Sequence, residues 1–292
     1  MAASTTASSS SQKVWFITGC SSGIGRELAL AALARGDKVI ATARSAAKLD
    51  DLVQRGAHTV ALDVTWADDV LHKTIVDAVA VYGRIDILVN NAGYVLQGAM
   101  EECSAQEVFD LFNTNVFGVL NMVRAVMPYL RAQKSGVVAN IGSLAAWRSH
   151  ATTGMYCATK FATAGITEGL REEVAHLGIE VTSIDLGSFR TELAANMVVS
   201  KRNIPELDAA TNPVREFLSS LHGKQPGDPV KAAKLISELL TKTGRGAGRT
   251  LPPRLAFGKD SVAYVKDALE RSQKMLDEWS DIVSTTNHDD TA

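Results

Sequence analysis

Seven short runs of apolar, β-branched and aromatic residues restrict this chain more than any other feature. They are VWFIT (14–18), KVIATAR (38–44), HTVALD (58–63), RIDILVNNAG (84–93), GVVANIGS (136–143), IEVTSIDLG (179–187) and a shorter one near RLAFG (254–258). Runs this apolar have no solvent face to offer, so they read as strands buried on both sides. Helical patterns separate them: RELALAALARG after the first, then 67–82, about 104–112 and 115–131, 154–177 and 228–242. Strands alternating with helices of this length pair in parallel through right-handed crossovers, and the helices cover both sheet faces. One doubly wound α/β domain is expected, without internal repeats.

Composition supplies the bounds. The chain has 292 residues, 46% hydrophobic and 21% charged, enough apolar material for a large core. A formal net charge of −2 gives no reason to expect nucleic acid or an anionic membrane as partner. Cys20, Cys103 and Cys157 are odd in number and lack metal-ligand spacing, so reduced thiols in a cytoplasmic protein are expected. Residues 1–12 are rich in Ser, Thr and Ala and read as a disordered tail rather than a secretory signal. No window reaches the ~18 apolar residues a membrane span needs. The domain is placed at 13–282, closed by a charged amphipathic helix over about 259–281, with 283–292 as a flexible end.

The first run leads into Gly19-Cys20-Ser21-Ser22-Gly23-Ile24-Gly25 and then a helix. Glycines there permit positive φ and close approach of a ligand to the backbone, and the amides opening the helix form an anion site. About 20 residues on, a dinucleotide fold usually places an acidic side chain for the adenosine ribose. None is present; the strand ends Thr42-Ala43-Arg44. A guanidinium at that point suits a 2′-phosphate, onto which it forks while staying charged. Residues 188–227 hold three prolines, weak helical pattern and no strand signal, at a strand's C-terminal end where such sheets bind ligands. A lid or binding segment is expected there.

In GVVANIGSLAAWRSHATTGMYCATK, Tyr156 and Lys160 stand i, i+4. On a helix that spacing stacks phenol and ammonium one turn apart. Their ordinary pKa values are ~10 and ~10.4, and a fixed positive charge favours phenolate, so a lowered Tyr156 pKa is expected. Ser143, at the preceding strand end, is placed to share a substrate oxygen with Tyr156.

Thr18-Gly-x-x-x-Gly-x-Gly25, Asn-Asn-Ala-Gly at 90–93, Asn115, Ser143 and Tyr156-x-x-x-Lys160, in this order and spacing, resemble the classical short-chain dehydrogenase/reductase family over essentially residues 13–260. The resemblance implies a Rossmann-like three-layer α/β/α sandwich around a seven-stranded, mostly parallel sheet. It also implies a nicotinamide cofactor and a catalytic tetrad of Asn115, Ser143, Tyr156 and Lys160. Tyr156 would exchange the proton with a carbonyl or alcohol, and Ser143 would stabilise the developing alkoxide. Lys160 would hold the nicotinamide ribose and lower the Tyr156 pKa, and Asn115 would keep a relay water. Cofactor contacts carried over are Gly19, Ser21, Ser22, Gly23, Ile24, Gly25, Asp63, Val64, Asn90, Asn91, Gly93, Tyr156, Lys160, Gly187, Phe189 and Thr191. Arg44 resembles the NADP(H)-preferring branch. One departure stands out: Leu186 replaces the proline that usually precedes Gly187, leaving the following loop less fixed.

For the substrate, Tyr94, Gln97, Ser143, Trp147 and Tyr156 are the candidate contacts, with Leu96, Arg148, His150, Met155 and the 193–217 segment beside them. Their balance points to an apolar ketone, aldehyde or alcohol. No metal is expected, since His150 has no partner ligands at suitable spacing. The resemblance also implies a homodimer or homotetramer through the 104–131 and 154–177 helices, with Phe109, Leu120, Phe161 and Leu170 as interface candidates. An NADPH-dependent carbonyl reductase or alcohol dehydrogenase leads. An enoyl or imine reductase on the same fold and a non-catalytic NADPH-binding sensor are the alternatives.

Overall fold

A computed structural model describes residues 12–288. The tail expected over 1–12 lies outside them except for Gln12, as does the end of the one expected over 283–292. The sheet is built from β1 (Val14–Ile17), β2 (Lys38–Ala43), β3 (His58–Ala61), β4 (Ile87–Asn90), β6 (Gly136–Ser143), β7 (Ile179–Leu186) and β9 (Arg254–Phe257). Its order is β3-β2-β1-β4-β6-β7-β9, and the pairs are parallel. This is the Rossmann-like α/β arrangement expected. The order reverses between β1 and β4, so the loops leaving their C-terminal ends part in opposite directions and open a cleft.

Helices fill both faces. Trp15 and Ile17 of β1 pack with Leu28 of α1 (Gly23–Ala34) and Ile236 of α8 (Pro229–Leu240). Val14 and Phe16 point to the other face, toward Leu71 and Ile75 of α3 (Asp68–Tyr82) and Met122 and Val126 of α5 (Gly118–Gln133). Alternate residues of one strand thus feed two cores, the reason its sequence shows no polar phase. Each such fully buried large side chain stabilises the fold by about 1.5–3 kcal/mol. Short α2 (Asp50–Gln54) follows β2, and α4 (Ala105–Phe112) opens on a capping box in which Ser104 and Glu107 exchange hydrogen bonds.

The segment after β7 differs from expectation. Strand β8 (Val198–Val199) pairs in parallel with β5 (Leu96–Gln97), and α7 (Asp208–Ser220) follows. Two-residue strands have no periodicity to detect, and Pro213 inside α7 breaks its pattern. The last helix, α9 (Lys259–Val283), runs past its expected end, and a 3₁₀ turn takes Ser284–Thr286 where a flexible tail was expected. Only its first turns are buried, through Ser261, Val265 and Ala268. Among the described residues no helix is long and apolar enough to cross a membrane.

Candidate active site

The cleft begins at the turn from β1 to α1. Gly19 (φ +71°) and Gly23 (φ +57°) take backbone conformations that L side chains rarely adopt. Gly25 is fixed by crowding: a Cβ there would lie 2.3 Å from Asn91 Nδ2 and 2.6 Å from the Gly19 carbonyl oxygen. Asn91 explains the tightness, donating from Nδ2 to the carbonyls of Thr18 (2.8 Å) and Gly19 (3.0 Å). Thr18 Oγ1 accepts in return from the amides of Asn91 (2.9 Å) and Ala92 (3.0 Å). The two parting loops are therefore laced together. Ser21 and Ser22 are exposed, and Ser22 makes no side-chain cap. No acidic side chain occupies the first turn of α1, so its amides remain free for an anion. Thr191 covers this turn, its side chain 3.4 Å from the position of a Gly23 Cβ.

Arg44 is exposed just beyond β2 and forms no ion pair among the described residues. Asp63 is half-buried, its Oδ1 accepting from the Thr65 amide (3.0 Å) and hydroxyl (2.8 Å). Val64 is buried against Gly118. Asn90 is buried too, donating to Asn140 Oδ1 at 2.9 Å while its own Oδ1 has no partner. Gly93 is exposed beside Asn115. A glycine cradle at a helix N-terminus and an orphaned buried amide oxygen beside it together fit a nicotinamide dinucleotide.

Ser143 ends β6, and its hydroxyl lies within hydrogen-bonding reach of Tyr156. Tyr156 and Lys160 stand in the first turns of α6 (Gly154–Val174). Lys160 Nζ is 5.8 Å from the Tyr156 ring centroid and donates to the Ile141 carbonyl at 2.7 Å. Asn115 sits in a π-helical turn, Asn113–Phe117, between α4 and α5. Such one-turn π segments are frequent at functional sites. Its Nδ2 donates to the Tyr94 carbonyl (2.9 Å) and Thr159 Oγ1 (3.2 Å), and its Oδ1 accepts from the Tyr94 amide (3.1 Å). The fold thus gathers Ser143, Tyr156 and Lys160, with Asn115 packed on the same helix.

The expected electrostatics are reversed. Burial pushes the Tyr156 phenol up to about 12, and the Ser143 hydrogen bond offsets only part of that. Burial likewise brings Lys160 down to about 8, against support from Asp185. The ammonium lies over the ring and is engaged by Ile141, and the burial of the phenol outweighs the attraction it has for the hydroxyl. At neutral pH the pair is a protonated phenol beside an ammonium.

The loop after β6 is tied down at its first residues and lines a cavity with its later ones. Trp147 donates from Nε1 to Asp185 Oδ2 (2.7 Å), and Arg254 lies over its ring at 3.7 Å. Arg148 pairs with Asp267 at 2.7 Å. His150 Nε2 meets the Tyr264 hydroxyl at 2.5 Å. Helix α9 therefore holds this loop, a role that spacing alone does not reveal. Tyr94 is half-buried, within electrostatic reach of Asp110, Arg44 and Glu107, and Gln97 is buried in β5. A cavity of about 300 Å³ opens between Met100 and the loop residues His150, Thr152 and Gly154 on one side and Leu207 and Thr211 on the other.

The loop after β7 is ordered without the missing proline. Asp260 Oδ2 accepts the Ser188 amide at 2.6 Å, and the Gly187 amide donates to the Phe257 carbonyl at 2.9 Å. Phe189 bridges to Gly227 and packs on Phe257, ring centroids 6.4 Å apart. Among the described residues no cluster of three or more His, Cys, Asp or Glu is placed to hold a metal ion.

A doubly wound sheet with a glycine cradle and a Ser–Tyr–Lys cluster at its switch point defines a class, and the comparisons with known proteins give its name. The sequence model described as short chain dehydrogenase matches residues 13–201. The chain is 34% identical over 275 residues to the oxidoreductase BOA17 of Botryotinia fuckeliana, covering 92% of this chain and 97% of that protein. It is 35% identical over 210 residues to a 3-ketodihydrosphingosine reductase of Bacteroides thetaiotaomicron, covering 72% and 74% respectively. The crystal structure of a short-chain dehydrogenase from Streptomyces avermitilis superposes with a TM-score of 0.85 at 39% identity, covering 96% of this chain and 100% of that one. The chain belongs to the short-chain dehydrogenase/reductase family and is an oxidoreductase of that family.

Proposed function

We propose that the chain is an NADPH-dependent carbonyl reductase, running in reverse as an alcohol dehydrogenase, on apolar ketones, aldehydes or secondary alcohols. One observation carries this reading: Ser143, Tyr156 and Lys160 converge beside the cleft at the sheet's switch point with Tyr156 held protonated. Its likeness to a ketone-reducing relative agrees. When bound, the nicotinamide would supply or accept the hydride. The residues do the rest. Ser143 donates to the substrate oxygen and stabilises negative charge developing there. Tyr156 delivers its proton to that same oxygen, as general acid. Lys160 lowers the energy of the phenolate left behind.

The free amides of α1 take the pyrophosphate, with Gly19, Gly23 and Gly25 allowing its approach. Arg44 takes the 2′-phosphate, and Thr191 and Phe189 close over the nicotinamide side. The half-exposed Phe109 and Phe161 support a homo-oligomer through α4 and α6. Three unpaired cysteines support a cytoplasmic setting.

The test is a ketone panel followed by NADPH consumption, for wild type and Tyr156→Phe. Loss of proton transfer is expected to lower kcat/KM by about 10²–10⁴-fold. Equal turnover of both proteins refutes the reading.

A further inference from the structure

Asp185 is a buried carboxylate for which the reaction above has no use. It lies in β7, its side chain fully enclosed, and Arg254 beside it is only 15% exposed. Four hydrogen bonds converge on it. Oδ1 accepts from Ser183 Oγ at 2.6 Å. Oδ2 accepts from Trp147 Nε1 at 2.7 Å and from Arg254 Nε and Nη2 at 3.0 and 2.9 Å. Arg254 also donates to the Ala146 carbonyl at 3.2 Å, so it grips the same loop.

The carboxylate reaches the catalytic strand directly. Gly142 and Asp185 are register partners, and a Cβ on Gly142 would lie 2.1 Å from Asp185 Oδ1. The backbone just before Ser143 therefore rests on this oxygen. A buried ion pair adds little to stability when two charges must be desolvated, which turns attention to what it positions. Lys160 meets Tyr156 on α6 and the Ile141 carbonyl on β6; the next residue of β6, Gly142, is the register partner of Asp185 on β7, whose charge supports the ammonium. Asp185 itself is faced by Ser183, Trp147, Arg254 and, at its carbonyl, by Ser261 of α9.

We propose that Asp185 is a positioning residue: with Arg254 it fixes the 142–147 segment that carries Ser143, and it sets the buried negative charge opposite the Lys160 ammonium. This rests on the carbonyl-reductase reading. Trp147→Phe removes one hydrogen bond and leaves the charge, whereas Asp185→Asn removes the charge as well.

The experiment measures kcat and KM for a ketone across pH, with NADPH affinity and melting temperature alongside. For Trp147→Phe, KM rises and the alkaline limb of kcat stays in place. For Asp185→Asn, kcat falls about tenfold or more with NADPH affinity kept, since a misplaced oxyanion donor acts on the transition state. The sign of the limb follows from the charge. Asp185 favours the ammonium, so without it Lys160 loses its proton at lower pH and the alkaline limb moves down by about one unit. A wild-type limb and wild-type kcat per folded molecule, with only the melting temperature reduced, overturns the proposal. Should Asp185→Asn alone not fold, the double variant Asp185→Asn/Arg254→Met leaves neither charge stranded and carries the same expected shift. Tyr156→Phe, run in parallel, separates the two ideas. If it stays active the reductase reading falls; if it is inactive while Asp185→Asn behaves as wild type, only the role of Asp185 falls.

Discussion

Replacing Arg215 with methionine should unlatch α7 while leaving the sheet intact. Glu102, between β5 and α4, has no exposed side-chain surface and draws three donors. These are the amide of Ala99 (2.7 Å), the amide of Ile204 (3.1 Å) and Arg215 Nη2 (2.5 Å). Arg215 adds a bond to Asn203 Oδ1 at 2.9 Å. Glu102 thus ties the lid segment to the loop behind the 300 Å³ cavity, beside the outer contacts of Lys201 with Glu107 and Arg202 with Glu101. Glu102 lies at the seam between its own loop and the lid, outside both apolar core clusters. The relevant loss is therefore that of a hydrogen bond to a charged group, about 1.5–3 kcal/mol, rather than that of a deep ion pair. At ~1.4 kcal/mol per decade, the open population of α7 rises about 10- to 150-fold.

Amide hydrogen exchange reads this directly: residues 208–220 should exchange faster by that factor, with β6 unchanged. Acidity should act the same way. Burial opposes ionisation of Glu102, but its three hydrogen bonds prevail and hold the carboxyl below its usual range. Its stabilising contribution is therefore complete above the ordinary carboxylate value and lost as pH falls through the folded one. In Arg215→Met the loosening begins at higher pH. Unaltered exchange in α7, or equal acceleration in α7 and β6, refutes the latch.

Two further changes test the cleft. Arg44→Asp should weaken NADPH binding by about 10- to 150-fold, the loss of a charge-assisted pair, with NADH little affected. Fluorescence titration of both cofactors decides, and equal losses argue against a 2′-phosphate contact. Lys160→Met should abolish turnover yet raise the melting temperature by a few degrees at pH 7, because a partly desolvated ammonium held near pH 8 opposes folding. That gain is full below about pH 8 and fades toward the lysine reference value of ~10.4, where the unfolded chain also loses its proton. A melting temperature that drops, or a gain independent of pH, would contradict the assignment.

The parts legible in the sequence were those fixed by local pattern. The run 14–18 announces a buried strand and Gly19–Gly25 a turn into a helix, and β1 and α1 lie there. Tyr156 and Lys160 share a helix face because four residues make about one turn. What escaped depends on partners far along the chain. Asp185 and Arg254 lie 69 positions apart; Glu102 and Arg215, 113. A charge inside the apolar run IEVTSIDLG was the sole local sign that something waits opposite. The failed expectation for Tyr156 has the same origin. Spacing places an ammonium near a phenol, but the sign of the pKa shift depends on how much protein encloses both. Here Ile141 takes the ammonium and the fold takes the water, so desolvation outweighs a charge engaged elsewhere. Helical adjacency fixes which groups meet, and the sheet beneath them fixes their protonation. For this reason the carboxylate under Gly142 is where the site's chemistry should prove adjustable.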